Sequence, residues 1–372
     1  MRDASRVLRR LSETRNTRAE LADARCVTAR VGDASRPQNR ALRFPWRRWA
    51  AKACFSLLAV VALLAASGAA RADASKLPPE VGYNYGLTET PRTAGMGGAL
   101  RAFSNSTDAL FMNPANMATS RVYHLAALAQ IWPEASRQTY GAAIVDSIVS
   151  TSRLAGGLAA SWTGQDPSGV DRSAFDVRFA LAFPFSEHFY LGATGHYLSL
   201  QQNGFPRGLY DLPPSLAAGG THGSAIVQGI TFDAGATLKP IPELAFSVIG
   251  SNLTNPGNGF LPLMFGGGLG YGTTDFTVEA DALADFTTYG ATKARAMVGG
   301  EYLAADHVPF RLGYRYDQGA DSHAVTGGLG YVDSAYSIDL SIQRTVAGAA
   351  ATAIVIGFQY HVESGGSLTP DD

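Results

Sequence analysis

Charge is scarce in this sequence. Asp, Glu, Lys and Arg make up 16% of its 372 residues, against roughly 25% in ordinary soluble domains. Cysteine is nearly absent: Cys26 and Cys54 are the whole supply, both in the first 72 residues. The chain beyond residue 72 therefore has no disulfide, no thiolate metal site and no cysteine nucleophile. Long apolar runs are missing there too, so the region has no membrane helix. H-E-x-x-H, P-loop and G-x-S-x-G signatures are absent, and the seven histidines are scattered without ligand spacing. The expectation is a protein that is not an enzyme, with no catalytic residues, no cofactor and no metal. Gly-Gly-Leu-Gly-Tyr occurs at 267–271 and 327–331, but inside predicted strands, where glycine serves close packing or bending rather than a phosphate cradle.

What is present is alternation. Hydrophobic residues reach 46% while mean hydropathy is zero, the balance expected when apolar and polar residues alternate instead of forming blocks. In Phe310-Arg311-Leu312-Gly313-Tyr314-Arg315-Tyr316-Asp317, one face reads Phe, Leu, Tyr, Tyr and the other Arg, Gly, Arg, Asp. Phe175 to Phe183, Phe276 to Phe286, Tyr336 to Gln343 and Ile354 to Val362 follow the same period. Such segments begin near Tyr123, Arg137, Leu154, Arg172, Phe189, Ile226, Leu244, Leu263, Phe276, Ala294, Val308, His323, Tyr336 and Ala350. Fourteen tilted strands of about 9–12 residues suit an antiparallel transmembrane barrel, which leaves no edge in lipid.

Connection lengths agree with that count. The two longest, near 201–225 and 251–262, fall on one side, and tight turns such as 240–243, 273–275 and 333–335 on the other, as in bacterial barrels. A soluble all-β protein alternates as well. Against it stand the charges gathered on one strand face and a secretory signal upstream. Trp132, Tyr140, Trp162, Tyr197 and Tyr302 are predicted near strand ends, as interface girdles.

Residues 1–72 hold 15 of the 30 basic residues and 5 of the 31 acidic ones, leaving the remainder at −11. Arg47, Arg48 and Lys52 lead into an apolar run from Ala53 to Ala70 that ends in Ala70-Arg71-Ala72. That order is a signal peptide, 47–72, cleaved after Ala72; an uncleaved anchor is the alternative. Because the basic portion leads straight into this signal, it is not read as a nucleic-acid arm. Residues 1–46 form an Arg-rich extension, longer than a normal n-region, whose simplest account is a start site placed too early. Thereafter the sequence divides into a hatch (73–121), the barrel (122–362) and a tail (363–372). The mature N-terminus is expected in the periplasm and the barrel in the outer membrane of a Gram-negative bacterium.

The segment before the first strand does not alternate. It carries Pro91-Arg92-Thr93-Ala94-Gly95-Met96-Gly97-Gly98-Ala99, then Ser104 to Met112, then Asn113-Pro114-Ala115-Asn116-Met117. Ser106 or Thr107 is expected to cap a short helix through Met112, which Pro114 ends. A fourteen-stranded barrel is wide enough to leak unless filled. Met96, Met112 and Met117, with Leu100, Phe103, Leu110 and Phe111, offer an adaptable apolar surface, either for a greasy ligand or for packing against the wall.

A G-M-G-G-A stretch, an acidic residue before a short apolar run and an N-P-A tripeptide resemble the FadL superfamily of outer-membrane barrels. The matching positions are Gly95, Met96, Gly97, Gly98, Ala99, Asp108, Asn113, Pro114 and Ala115. The resemblance implies fourteen strands, a hatch in the lumen, and passive uptake of small hydrophobic molecules such as fatty acids or hydrocarbons. Its gate is expected at Gly95, Met96, Gly97, Gly98, Asp108, Phe111, Met112, Asn113, Pro114 and Ala115. Phe246-Ser247-Val248, Ser251-Asn252-Leu253 and the opening 79–90 resemble the PorV-type branch. That implies a competing role, a structural or secretion-associated barrel that binds protein partners. Outer-membrane lipid is a partner in either case.

Arg178, Glu279, Asp281, Glu301, Arg311, Arg315 and Asp339 are expected in the lumen, pairing across it and holding the hatch; a filter for charged solutes is the alternative. His196 and His361 are expected to point inward as well.

Overall fold

The computed structural model describes residues 88–148, 153–166, 171–203, 224–254 and 259–362. The expected signal peptide, the Arg-rich extension, the first part of the expected hatch and the expected tail lie outside them. The period-two segments become fourteen antiparallel strands closed into one barrel. They are β1 (Tyr123–Trp132), β2 (Arg137–Asp146), β3 (Ala155–Gln165), β4 (Arg172–Pro184) and β5 (Phe189–Gln202). Next come β6 (Ser224–Ile241), β7 (Leu244–Ser251), β8 (Met264–Gly272), β9 (Phe276–Asp285) and β10 (Lys293–Ala304). The last four are β11 (Val308–Asp317), β12 (Ser322–Val332), β13 (Tyr336–Ala347) and β14 (Thr352–His361). Each strand pairs with its sequence neighbours, and β14 returns to β1 with His124 opposite His361 and Ile131 opposite Ile354. No backbone edge is left facing lipid along that seam.

Alternation decides which face meets what. On β4, Phe175, Val177, Phe179, Leu181 and Phe183 are exposed on the outer wall, while Ala174, Asp176, Arg178, Ala180 and Ala182 are buried inside. On β11, Leu312 is 60% exposed and Arg311 4%. A protein whose apolar face points outward and whose charges point inward is solvated by lipid. The tight connections, including 242–243, 273–275 and 333–335, share one end of the barrel, the turn end. The two longest, 203–223 and 252–263, are at the other, the loop end.

Two of the expected girdle residues do otherwise. Trp132 is 8% exposed and turned inward, with the Arg137 guanidinium 4.5 Å from its ring; an indole stacked on a cation is better placed than one in headgroups. Tyr197 lies well inside β5, where its hydroxyl accepts a 2.9 Å hydrogen bond from Gln228. Tyr140, Trp162 and Tyr302 stay on the outer face, about half exposed.

Candidate functional site in the lumen

Residues 88–122 run inside the wall. Thr88 and Glu89 lie towards the loop end: the Thr88 hydroxyl is 3.5 Å from that of Ser161, Gln130 donates to the Glu89 carbonyl, and Arg315 pairs with the Glu89 carboxylate. From there the chain descends into helix α1 (Pro91–Gly95), which starts well because Pro at the first position has no orphan N–H and Thr90 accepts from the Thr93 N–H. Arg92 on this helix donates to Glu301 of β10 at 3.1 and 2.9 Å and to Asn105 at 3.1 Å, with Asp108 at 3.5 Å. Arg311 completes the group, 2.6 Å from Glu301 and 2.5 Å from Asp339. Two guanidiniums thus share three carboxylates, so the buried charges are paired.

Burial pushes the Asp108 carboxyl above its ordinary pKa, and the opposing pull of the Arg92 charge and the Thr90 hydroxyl, which donates at 2.5 Å, does not overcome it. Burial disfavours the Arg92 charge too, but Glu301 and Asp108 outweigh that and hold it more firmly protonated than usual.

The glycine cluster comes next. Gly97 and Gly98 have φ of 69° and 86°, a left-handed bend open to glycine without strain. The bend lays backbone against backbone: a Cβ on Gly97 would lie 2.7 Å from the Tyr314 nitrogen. Wall glycines answer from the other side, since Gly299 and Gly313 abut Met96, and Gly192 abuts Pro114 and Ala115. Wall side chains finish the attachment. Ser341 donates to the Pro91 carbonyl at 2.5 Å, Thr326 to Gly95 at 2.8 Å and Arg315 to Gly97 at 3.0 Å.

Four consecutive amides then meet two carboxylates of β9. Leu100 and Arg101 donate to Asp281 at 3.0 and 3.1 Å, and Ala102 and Phe103 to Glu279 at 2.5 and 2.9 Å. The Arg101 side chain adds a 2.9 Å ion pair to Asp281. Asn113 and Asn116 knot the segment to itself, each donating 2.9 Å to the Arg101 carbonyl, and Asn113 also reaches Thr237 of β6 at 2.9 Å. Neither Asn116 nor Arg101 stands out in the sequence. The only signal was a polar residue in a short, otherwise apolar stretch.

Helix α2 (Ser106–Met112) is where expected, but Asn105 occupies its N-cap position and no side chain caps it. The hydroxyls expected to cap go to the wall instead: Ser106 lies 2.7 Å from His124, and Thr107 donates to Gln359 at 2.8 Å. A short 3₁₀ turn, Pro114–Ala118, leads out at the turn end.

The expected gate residues Gly95, Met96, Gly97, Gly98, Asp108, Phe111, Met112, Asn113, Pro114 and Ala115 are all buried within the barrel. Of the seven charges, Glu279, Asp281, Glu301 and Arg315 bond the segment directly, while Arg311 joins it through Glu301 and Asp339 through Arg311. Arg178 sits apart. It pairs with Asp176 at 3.0 Å, and its guanidinium is 5.4 Å from the Phe111 ring centre. His196, in the same layer, is 3.1 Å from the Asn252 side-chain oxygen; the Asn252 backbone N–H donates to Asp233 at 2.7 Å and its side-chain amide to the Pro262 carbonyl at 2.8 Å.

Apolar side chains flank that layer on both sides. Towards the turn end, Leu110, Phe111, Met112 and Met117 pack on Leu128 and Val145. Towards the loop end, Leu198, Leu200 and Val227 meet Phe260 and Leu261, which the 252–263 connection folds inward. Below the segment, a cavity of about 530 Å³ opens at the turn end, lined by polar groups including Arg92, Lys239 and Glu301.

Solved structures share this architecture. The toluene transporter TbuX of Ralstonia pickettii superposes with a TM-score of 0.55 at 16% identity, over 75% of this chain and 100% of its own. The monoaromatic hydrocarbon channel CymD gives 0.60 at 14%, over 76% and 100%. A Pseudomonas aeruginosa FadL homologue gives 0.50 at 16%, over 73% and 98%. The fold is that of the FadL-type outer-membrane barrels. No family model matches the sequence, and no curated protein does. In this barrel the glycine cluster, Asp108 and the Asn-Pro-Ala tripeptide, which carry the resemblance in the sequence, all lie in the luminal segment.

Proposed function

We propose that this protein is an outer-membrane channel for passive uptake of small hydrophobic molecules, with the segment Gly95–Ala115 as its gate. The observation that carries this reading is the pair of apolar clusters along the lumen, Leu198, Leu200, Val227, Phe260 and Leu261 above the Arg178 layer and Phe111, Met112 and Met117 below it. Methionine and aromatic surfaces accept apolar ligands of varied shape. Similarity to a toluene transporter and a monoaromatic hydrocarbon channel supports the same class of cargo. In this reading the signal 47–72 directs secretion, the turn end faces the periplasm, and the loop end faces outside.

Uptake decides it. A deletion strain and its complemented parent would be compared for entry of labelled toluene and of a labelled long-chain fatty acid. Slower entry of either in the deletion strain, restored by the gene, is expected. Equal entry of both in the two strains would rule the reading out.

A further inference from the structure

The barrel closes where its first and last strands meet, and at the turn end of that seam two histidines stand in register. His124 of β1 is paired with His361 of β14. Their rings stack with centroids 4.3 Å apart and planes 28° from parallel. Between their nitrogens lies one side chain: Gln359 Nε2 is 3.0 Å from His124 Nδ1 and 3.1 Å from His361 Nε2. The outer nitrogen of His361 is already committed, since its Nδ1–H donates to the carbonyls of Asp333 and Ser334 at 3.1 and 3.2 Å. That bond fixes the tautomer and leaves the Nε2 lone pair facing inward. A ring N–H anchored on a backbone carbonyl is the usual support of a metal-bound imidazole.

The His124 side is crowded with donors. Ser106 is 2.7 Å from Nδ1 and Gln359 approaches the same nitrogen, so two donor groups compete for one lone pair. Replacing the Gln359 amide nitrogen by a cation removes that competition and satisfies both imidazoles. To share one cation each ring must turn out of the stack, so that the ion lies in its plane, and close by about 1 Å to reach the ~2.0–2.1 Å of a zinc–nitrogen bond. The Gln359 carbonyl oxygen and the Ser106 hydroxyl are neighbouring oxygen donors, and the cavity at the turn end is an entry path bordered by all four residues.

We propose that His124 and His361 hold a divalent transition-metal ion of the zinc class across the barrel seam. Imidazole favours zinc, copper and nickel over magnesium or calcium. Among the described residues no group of three or more His, Cys, Asp and Glu forms a metal cluster, so the site is one of two strong ligands and its ion is exchangeable. Its consequence is local. The ion ties β1 to β14 and lies beside Ser106 at the start of α2, so it joins the closure of the wall to the seating of the luminal segment.

The test uses the barrel purified from outer membranes in detergent, freed of metal, with ZnCl2 as the probe. Equilibrium dialysis and thermal unfolding would be run on the wild type, His124→Gln and His361→Gln. Heat-modified gel mobility checks that each variant is folded. Saturable binding of one Zn2+ per barrel, with a zinc-dependent rise in Tm, is expected for the wild type. Each folded variant should bind at least tenfold more weakly and lose the rise. Absence of saturable binding to the wild type, or wild-type affinity in either folded variant, would overturn the assignment. A variant that does not fold is replaced by His124→Asn or His361→Asn at the same position, judged by the same tenfold criterion.

Discussion

Gly97 of the luminal segment and Tyr314 of β11 touch main chain to main chain, the space a Cβ would need lying 2.7 Å from the Tyr314 nitrogen and 2.8 Å from its carbonyl oxygen. Gly97→Ala combines that overlap with a left-handed φ of 69°. Overpacking of this kind costs about 1–3 kcal/mol. The cost should fall on the segment rather than the wall, because the wall keeps its ladder. Amide exchange in 95–103 should speed by tenfold or more while β11 stays protected; unchanged exchange in 95–103 contradicts the close approach.

Asp281 and Glu279 take up four consecutive amides. Asp281→Ala leaves the amides of Leu100 and Arg101 and the Arg101 guanidinium without that carboxylate. A buried donor so deprived costs about 1–3 kcal/mol. Glu279→Ala should act on Ala102 and Phe103. Both variants should admit small hydrophilic solutes into liposomes faster than the wild type. The conservative Asp281→Asn should be milder, since it keeps one acceptor; a larger effect from Asn than from Ala is inconsistent with the geometry.

Asp108 supplies a pH dependence. A carboxyl whose pKa is raised by burial binds its proton more tightly in the folded segment than in the unfolded chain. Its contribution is therefore fully present below the ordinary carboxylate value of about 4 and is lost as pH rises through the raised value. Protection of residues 106–112 should fall with rising pH in that range. Asp108→Asn, neutral at every pH and still able to accept from Thr90, should remove this part of the slope. An identical slope in wild type and variant would refute it.

The facing of the strands was legible because side-chain alternation records it. Arg311 is buried and Leu312 faces out, as their neighbours in Phe310 to Asp317 imply. Strand starts were readable for the same reason: β4, β5, β9, β11 and β13 begin at Arg172, Phe189, Phe276, Val308 and Tyr336, where the pattern places them. The partners of the luminal segment were not readable. Asp281 and Leu100 are 181 positions apart, and no period links a loop to the strand it will touch. The cap of α2 was misplaced because the Ser106 and Thr107 hydroxyls had two possible partners, the free N–H groups of their own helix and polar groups of the wall. Strand neighbours brought His124 and Gln359 within reach.

The same facing has an energetic test. Leu312→Arg puts a charge on the lipid face and should cost about 2–4 kcal/mol near the midplane. Arg311→Lys keeps a cation between Glu301 and Asp339 and involves no transfer into lipid, so it should cost less. Reversible unfolding in urea in the presence of lipid would compare them; equal costs would reverse the assigned orientation.

The segment that fills the lumen comes before β1 and contacts β5, β6, β9, β10, β11, β13 and β14 through Gly192, Thr237, Asp281, Glu301, Arg315, Ser341 and Gln359. Because those contacts spread around the circumference, the segment is placed to serve as a mandrel for the wall. Bringing β14 to β1 joins strands more than two hundred residues apart, a slow search for a free chain. A mandrel that grips both halves shortens that search, so weakening the segment should slow closure of the barrel as well as loosen its seal.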